Sequence, residues 1–180
     1  MANYHFITHW QVEATCAEVY DILKGANELP RWWPAVYLDI KTLEVGEPSG
    51  LGRVIELYTK GYLPYTLRWK SRVTAVNPIE KTGFALEAFG DLKGKGVWHF
   101  KQNGNLCNIT YDWKIDAEKP LLKYLSFIMK PLFSSNHHWA MNKGLESLKL
   151  ELLRRQKGLT AHIRPPQPTF PHNFLNNKIL

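Results

Sequence analysis

The chain holds two cysteines in 180 residues, Cys16 and Cys107, far apart and with no Cys-x-x-Cys step or histidine cluster of ligand spacing beside them. A disulfide framework and a structural zinc site are therefore poorly supported, and nothing in the sequence asks for a metal or a cofactor. No apolar run approaches the roughly 20 residues that span a bilayer. The opening MANYHFITHW lacks the basic, apolar and small-residue zones of a secretory leader, so the expectation is a cytoplasmic protein. Also missing are a Walker loop, a dinucleotide fingerprint, a Gly-x-Ser-x-Gly elbow and a paired-carboxylate signature. Acidic residues end at Glu151, while Arg154, Arg155, Lys157, Arg164 and Lys178 follow it and supply most of the formal charge of +7. A pI near 9.4 would suit nucleic acid, but no helix-turn-helix, RNP-like strand or finger spacing accompanies it. The reading is a mildly basic body with a basic tail and no nucleic-acid partner.

What is present is a soluble-protein balance, with 44% hydrophobic, 13% aromatic and 22% charged residues. A domain of this size buries about 70% of its unfolded-chain surface and folds without staples. Residues 4–12 alternate as a strand, with Phe6, Thr8, Trp10 and Val12 on one face. Thr15 with Glu18 three residues on predicts a capping box for the helix CAEVYDIL, which Gly25 ends. Asn27 is expected to cap a second short helix that Pro34 stops. From 35 to 118 six strands follow, separated by GEPSGLG, GYLP, NPIEKT, the Gly90-Asp91 step and NGN, turns short enough for an antiparallel meander. Tyr65, Leu67, Trp69, Ser71 and Val73 form an apolar face against a cationic one of Arg68, Lys70 and Arg72.

Residues 121–156 return to helical period, with Leu121, Leu125, Ile128 and Leu132 and then Ala140, Gly144, Leu148 and Leu152 in a stripe. Pro131 predicts a kink or a restart. After Lys157, four prolines within seven residues exclude helix and central strand. The expected organisation is an α+β domain over 1–156 and a Pro-rich basic tail over 157–180. Its seven-stranded curved antiparallel sheet wraps around a long C-terminal helix, with two short helices after the first strand closing one end. A sheet that wraps a helix cannot touch it everywhere, so a cavity is expected between them.

The segments ATCAEVYDIL with RWWP, GYLPYTLRWKSRV, GDLKGKGVWHF, ITYDW and NHHWAMNKGLESLKLEL, in this order and spacing, resemble the START-related helix-grip superfamily. Within it the chain is similar to the polyketide cyclase/dehydrase-like lipid-transport group, often labelled SRPBCC, over about residues 4–155. The resemblance implies a helix-grip fold and the binding of a hydrophobic or aromatic small molecule, lipid- or polyketide-like, for carriage or sensing. It equally implies an alternative, a cyclase/dehydrase-type enzyme that uses the same cavity. A third reading is a module that docks on a membrane or protein.

Candidate ligand contacts are Tyr65, Trp69, Gly96, Trp98, Tyr111 and Trp113 from the strands and Met129, Phe133, Asn136 and His137 from the last helix. Gly94 and Gly96, on the face of Trp98 and Phe100, are expected to leave room for a ligand or for a close backbone approach. Trp32-Trp33-Pro34 is expected to plug one end. Two candidates could act as acid or base. His137 lies on the helix stripe near Ala140 and Gly144, about 100° from His138; its bland alternative is a polar residue bonded to strand backbone or solvent. Glu87 stands alone in an apolar strand, with inward and outward orientations both open and the outward, ion-paired one favoured. The stretch KPLLKYLSFIMKPLF carries the composition of an interfacial membrane helix as well as of a core-facing one, so transient membrane contact during loading accompanies the carrier reading.

Overall fold

The computed structural model describes residues 3–117, 126–158 and 164–169, with the backbone alone for 3, 117 and 126–130. Strand β1 (Asn3–Glu13) leads into α1 (Cys16–Lys24), a 3-10 turn (Ala26–Glu28) and α2 (Leu29–Trp32). Six strands follow: β2 (Tyr37–Glu44), β3 (Val54–Lys60), β4 (Thr66–Val76), β5 (Gly83–Gly90), β6 (Leu92–Asn103) and β7 (Leu106–Ala117). The long helix α3 (Ser126–Lys157) closes the fold. The sheet order is β1-β7-β6-β5-β4-β3-β2, every neighbouring pair antiparallel. Consecutive strands from β2 to β7 are neighbours because short turns permit only that pairing, while β1 crosses the helical segment to flank β7.

Local chemistry explains the elements. Thr15 accepts from the Glu18 backbone N–H at 3.2 Å, and Glu18 accepts from the Thr15 N–H at 2.8 Å, the reciprocal box that the sequence predicts. Asn27 does not cap α2. Its carboxamide instead accepts from Thr42 Oγ1 at 3.0 Å, the 3-10 turn continues directly into the helix, and Pro30 sits in α2's first turn. Pro131 lies inside α3 near its start.

Alternation holds on β4, where Leu67, Trp69, Ser71 and Val73 are buried and Arg72 is exposed. The inner face of the sheet meets Phe133, Met141, Leu148 and Leu152 of α3, so the core lies between sheet and helix. Gly144 lets the Trp33 indole lie directly on the helix, where a side chain would collide with the ring. Gly61 does the same for the Asn136 carboxamide.

Two structural facts were not expected from the sequence, and a third concerns the proline-rich tail, for which lying draped on the domain is one of the readings the sequence leaves open. Cys16 and Cys107 meet, with their Sγ atoms 2.6 Å apart. Arg154 and Arg155, read as free basic excess, both bind the buried Glu151, with nearest contacts of 2.8 and 2.7 Å, and Arg31 of α2 joins them at 2.9 and 3.0 Å. Finally, part of the proline-rich segment touches the body: Thr169 Oγ1 donates to the Tyr62 carbonyl at 3.2 Å, and Pro165, Pro166 and Pro168 are half-buried.

Candidate functional site

A cavity of about 100 Å³ lies between the sheet and α3. Its walls are Trp69, Tyr111 and Trp113 from the central strands, Trp33 and Tyr37 from the α2–β2 segment, and Phe133, Asn136, His137, Ala140 and Met141 from α3. A second chamber of about 60 Å³ lies toward α1, floored by Trp98, Phe84 and Val73. Trp33, Tyr37, Trp69 and Tyr111 border both chambers and form the partition between them. The aromatic wall is packed in sequence. Trp98 stacks on Tyr111 at 4.0 Å between centroids, Tyr111 on Trp113 at 5.5 Å, and Trp69 tilts against Trp113 at 5.8 Å. Pockets for drug-sized ligands usually run from about 300 Å³. The first chamber has room for little more than one ring, and a longer ligand would have to extend out of its mouth or part the four residues shared with the second chamber.

Polar groups line the first chamber from α3 and from the end of β3. His137 stacks flat on Phe6, with centroids 4.1 Å apart and planes 16° apart. Its Nε2 is buried without a hydrogen-bond partner. Burial, with a smaller contribution from His138, lowers its pKa to about 4, so the imidazole is neutral at pH 7. Asn136 is almost fully buried and spans the mouth: its Oδ1 accepts from the Leu63 N–H at 3.2 Å, and its Nδ2 donates to Tyr65 Oη at 3.4 Å. Thr59 Oγ1 accepts from the Trp69 indole at 3.0 Å. Lys60 also lines the chamber, 4% exposed, and burial lowers its pKa. Burial raises the phenol pKa of Tyr37, Tyr65 and Tyr111, keeping all three as neutral hydroxyls. No carboxylate lines either chamber among the described residues.

The structure thus brings Trp69, Tyr111, Trp113, Phe133, Asn136 and His137 together around one space. Tyr65 stands behind Asn136, and Trp98 belongs to the second chamber. Gly96 leaves no room for a ligand: a Cβ there would stand 2.7 Å from Tyr111 Oη and 2.8 Å from the Trp113 ring, so the aromatic rings already occupy the space it vacates. Glu87 is exposed on the outer face, with Arg72 and Lys95 as cross-strand partners in register, and it does not reach the cavity. The Met129 side chain and most of KPLLKYLSFIMKPLF lie outside the described residues. Among described residues no helix is long and apolar enough to cross a membrane.

Tyr37 and Lys60 are site residues that sequence reasoning missed. Strict alternation puts Val36, Leu38 and Ile40 on one face and Tyr37 on the other. A register irregularity between Tyr37 and Asp39 breaks that alternation and turns Tyr37 toward the core. Lys60 follows the inward Thr59 and is drawn in where β3 ends, its N–H donating to the Val36 carbonyl at 2.9 Å. A bulge on an edge strand and a strand end carry no period to read.

Residues 6–152 match the family model described as polyketide cyclase / dehydrase and lipid transport, and the chain belongs to that family. No curated protein matches it in sequence. Solved structures share its fold. The protein TTHA0849 from Thermus thermophilus is 14% identical with a TM-score of 0.67, covering 84% of this chain and 99% of its own. The Zhui aromatase/cyclase from a Streptomyces species, strain R1128, is 16% identical with a TM-score of 0.62 over 86% and 96%. Norcoclaurine synthase from Thalictrum flavum is 14% identical with a TM-score of 0.57 over 84% and 87%. The architecture is the helix-grip fold of this family.

Proposed function

We propose that the chain binds a hydrophobic small molecule with an aromatic ring in the first chamber and carries or senses it without changing it. The observation that carries this reading is the pairing of an aromatic-walled space with a buried polar atom of its α3 lining that has no partner, His137 Nε2; Trp33 Nε1 of the same lining is also unpartnered. An apolar ligand gains about 25 cal/mol per Å² of surface buried, and Nε2 offers a ligand hydroxyl or carbonyl the one hydrogen bond that this atom lacks. The family description, which includes lipid transport, agrees with such a role.

A cyclase reading has one observation in its favour. A neutral imidazole beside phenols of raised pKa is a set that can shuttle protons to and from an enolising carbonyl. Against it stands the lack of a lining carboxylate among the described residues to hold or charge that imidazole.

The test is native mass spectrometry of the protein purified without detergent, followed by affinity measurement for the molecule released. His137→Leu is expected to weaken binding by about threefold to tenfold, the worth of one neutral hydrogen bond. The ligand is expected to emerge unchanged after long incubation. A product formed by the wild type and not by His137→Leu, with affinity retained, makes the protein an enzyme.

A further inference from the structure

We infer that Cys16 and Cys107 form a reversible intramolecular disulfide, an oxidation site built where α1 begins. Their Sγ atoms stand 2.6 Å apart, although the two residues lie far apart in the chain. The approach is held from both sides by polar bonds independent of the sulfurs. The Cys16 N–H donates to Gln102 Oε1 at 2.7 Å, and Gln102 Nε2 donates to the carbonyls of Ala14 at 3.2 Å, Gly104 at 3.0 Å and Leu106 at 3.2 Å. Gln102 is itself the register partner of Cys107 in the β6–β7 ladder. One side chain therefore clasps the start of α1 to the strand pair that carries the second thiol, and the capping box on Thr15 fixes the helix end that presents the first.

Access decides the order of events. Cys16 is half-buried and meets solvent, whereas Cys107 is fully buried between β1 and β6. Burial and the contact with Cys16 raise the Cys107 thiol pKa, so this sulfur does not attack first. The co-reactant is a small disulfide of the glutathione type. The Cys16 thiolate attacks one of its sulfurs, the S–S bond breaks, and one thiolate leaves. That thiolate takes the Cys107 proton, and the Cys107 sulfur then attacks Cys16 Sγ and expels the second small thiolate, which takes up the proton that Cys16 had released to solvent. Two protein thiols lose two electrons in all, and the small disulfide becomes two thiols. The product closes a loop through α1 and the sheet as far as β7, a long loop of the kind whose closure most restricts the unfolded chain. The inference does not depend on which ligand the cavity holds.

The experiment treats the full chain with oxidised glutathione and follows intact mass, thiols titratable after unfolding, and the melting temperature. The expected result is a monomer lighter by two hydrogens, with titratable thiols falling from two per chain to none and returning with reductant. Peptide mapping should show Cys16 joined to Cys107. Cys16→Ser is expected to give no such product, and the oxidised wild type should melt at or above the reduced form. A wild type that keeps both thiols overturns the inference, as do a glutathione adduct left on Cys16, a dimer linked through Cys16, or an oxidised form that melts lower. These readouts on the wild type stand whether or not a variant at the buried Cys107 folds.

Discussion

At the scale of single residues, the site turns on His137 and on glycines that make room for rings. His137 titrates near 4 in the fold and near 6.5 when unfolded, so the unfolded chain takes up its proton first as pH falls. Its neutral form stabilises the fold fully above about pH 6.5, and that contribution is lost as pH drops toward 4. A shift of this size corresponds to about 3 kcal/mol. Melting temperature is therefore expected to fall across this window, and His137→Gln should flatten the fall. An equally steep profile in the variant would assign the pH dependence to other groups. Gly96→Leu is expected to destabilise the protein by about 1–3 kcal/mol through overpacking. Its Cβ meets Tyr111 Oη and the Trp113 ring, so denaturant unfolding should register a loss of stability whether or not ligand is present. A variant as stable as the wild type would mean that these rings can retreat.

At the scale of elements, Glu151 joins helix to helix. Its carboxylate is almost completely buried, and burial alone would raise its pKa. Hydrogen bonds from Arg154, Arg31 and Arg155 prevail and hold it well below the usual carboxylate range. Arg31 comes from α2 and the other two from α3, so the cluster ties the short helix at the cavity's end to the long one. Glu151→Gln is expected to lower stability by about 2 kcal/mol, the worth of a charge-assisted bond in a half-exposed cluster. Arg31→Met should lose less, because Glu151 keeps two arginines. Equal melting of wild type and Glu151→Gln would show the cluster to be passive. The sequence made the α1 capping box, the presence of six strands after α2 and the inward face of β4 legible, because each rests on local spacing or period-2 burial. It could not reveal the tie at Glu151, where arginines that look like surplus charge meet a partner chosen by tertiary packing. Tyr37 stayed hidden for the related reason that one bulge reverses the parity of an edge strand. Gly96 was misplaced because alternation reports which face a glycine shares and not what fills the space above it.

At the scale of the whole molecule, the sheet, α1, α2 and α3 share one core, which reaches from Tyr4 to Leu152. We propose that 1–156 is the folding unit and that 157–180 is an accessory segment, of which Thr169 touches the body. Deleting 160–180 removes the Thr169–Tyr62 bond and the cover of three half-buried prolines but, among the described residues, no member of the core cluster. The truncated chain is expected to fold and to melt within a few degrees of the full chain by calorimetry; failure to fold would make the tail part of the domain. The central claim is that the chamber between sheet and α3 receives the ring of an apolar ligand. The most direct measurement is a titration with p-cresol, one ring with one hydroxyl, followed through the tryptophan indole N–H resonances of the wild type and of Ala140→Phe. Ala140 lines the chamber from α3, and a phenyl group there fills it. The expected result is saturable shifts at Trp33, Trp69 and Trp113 in the wild type, absent in a variant that still folds. Identical shifts in both proteins, or shifts confined to other tryptophans, would contradict binding in this chamber.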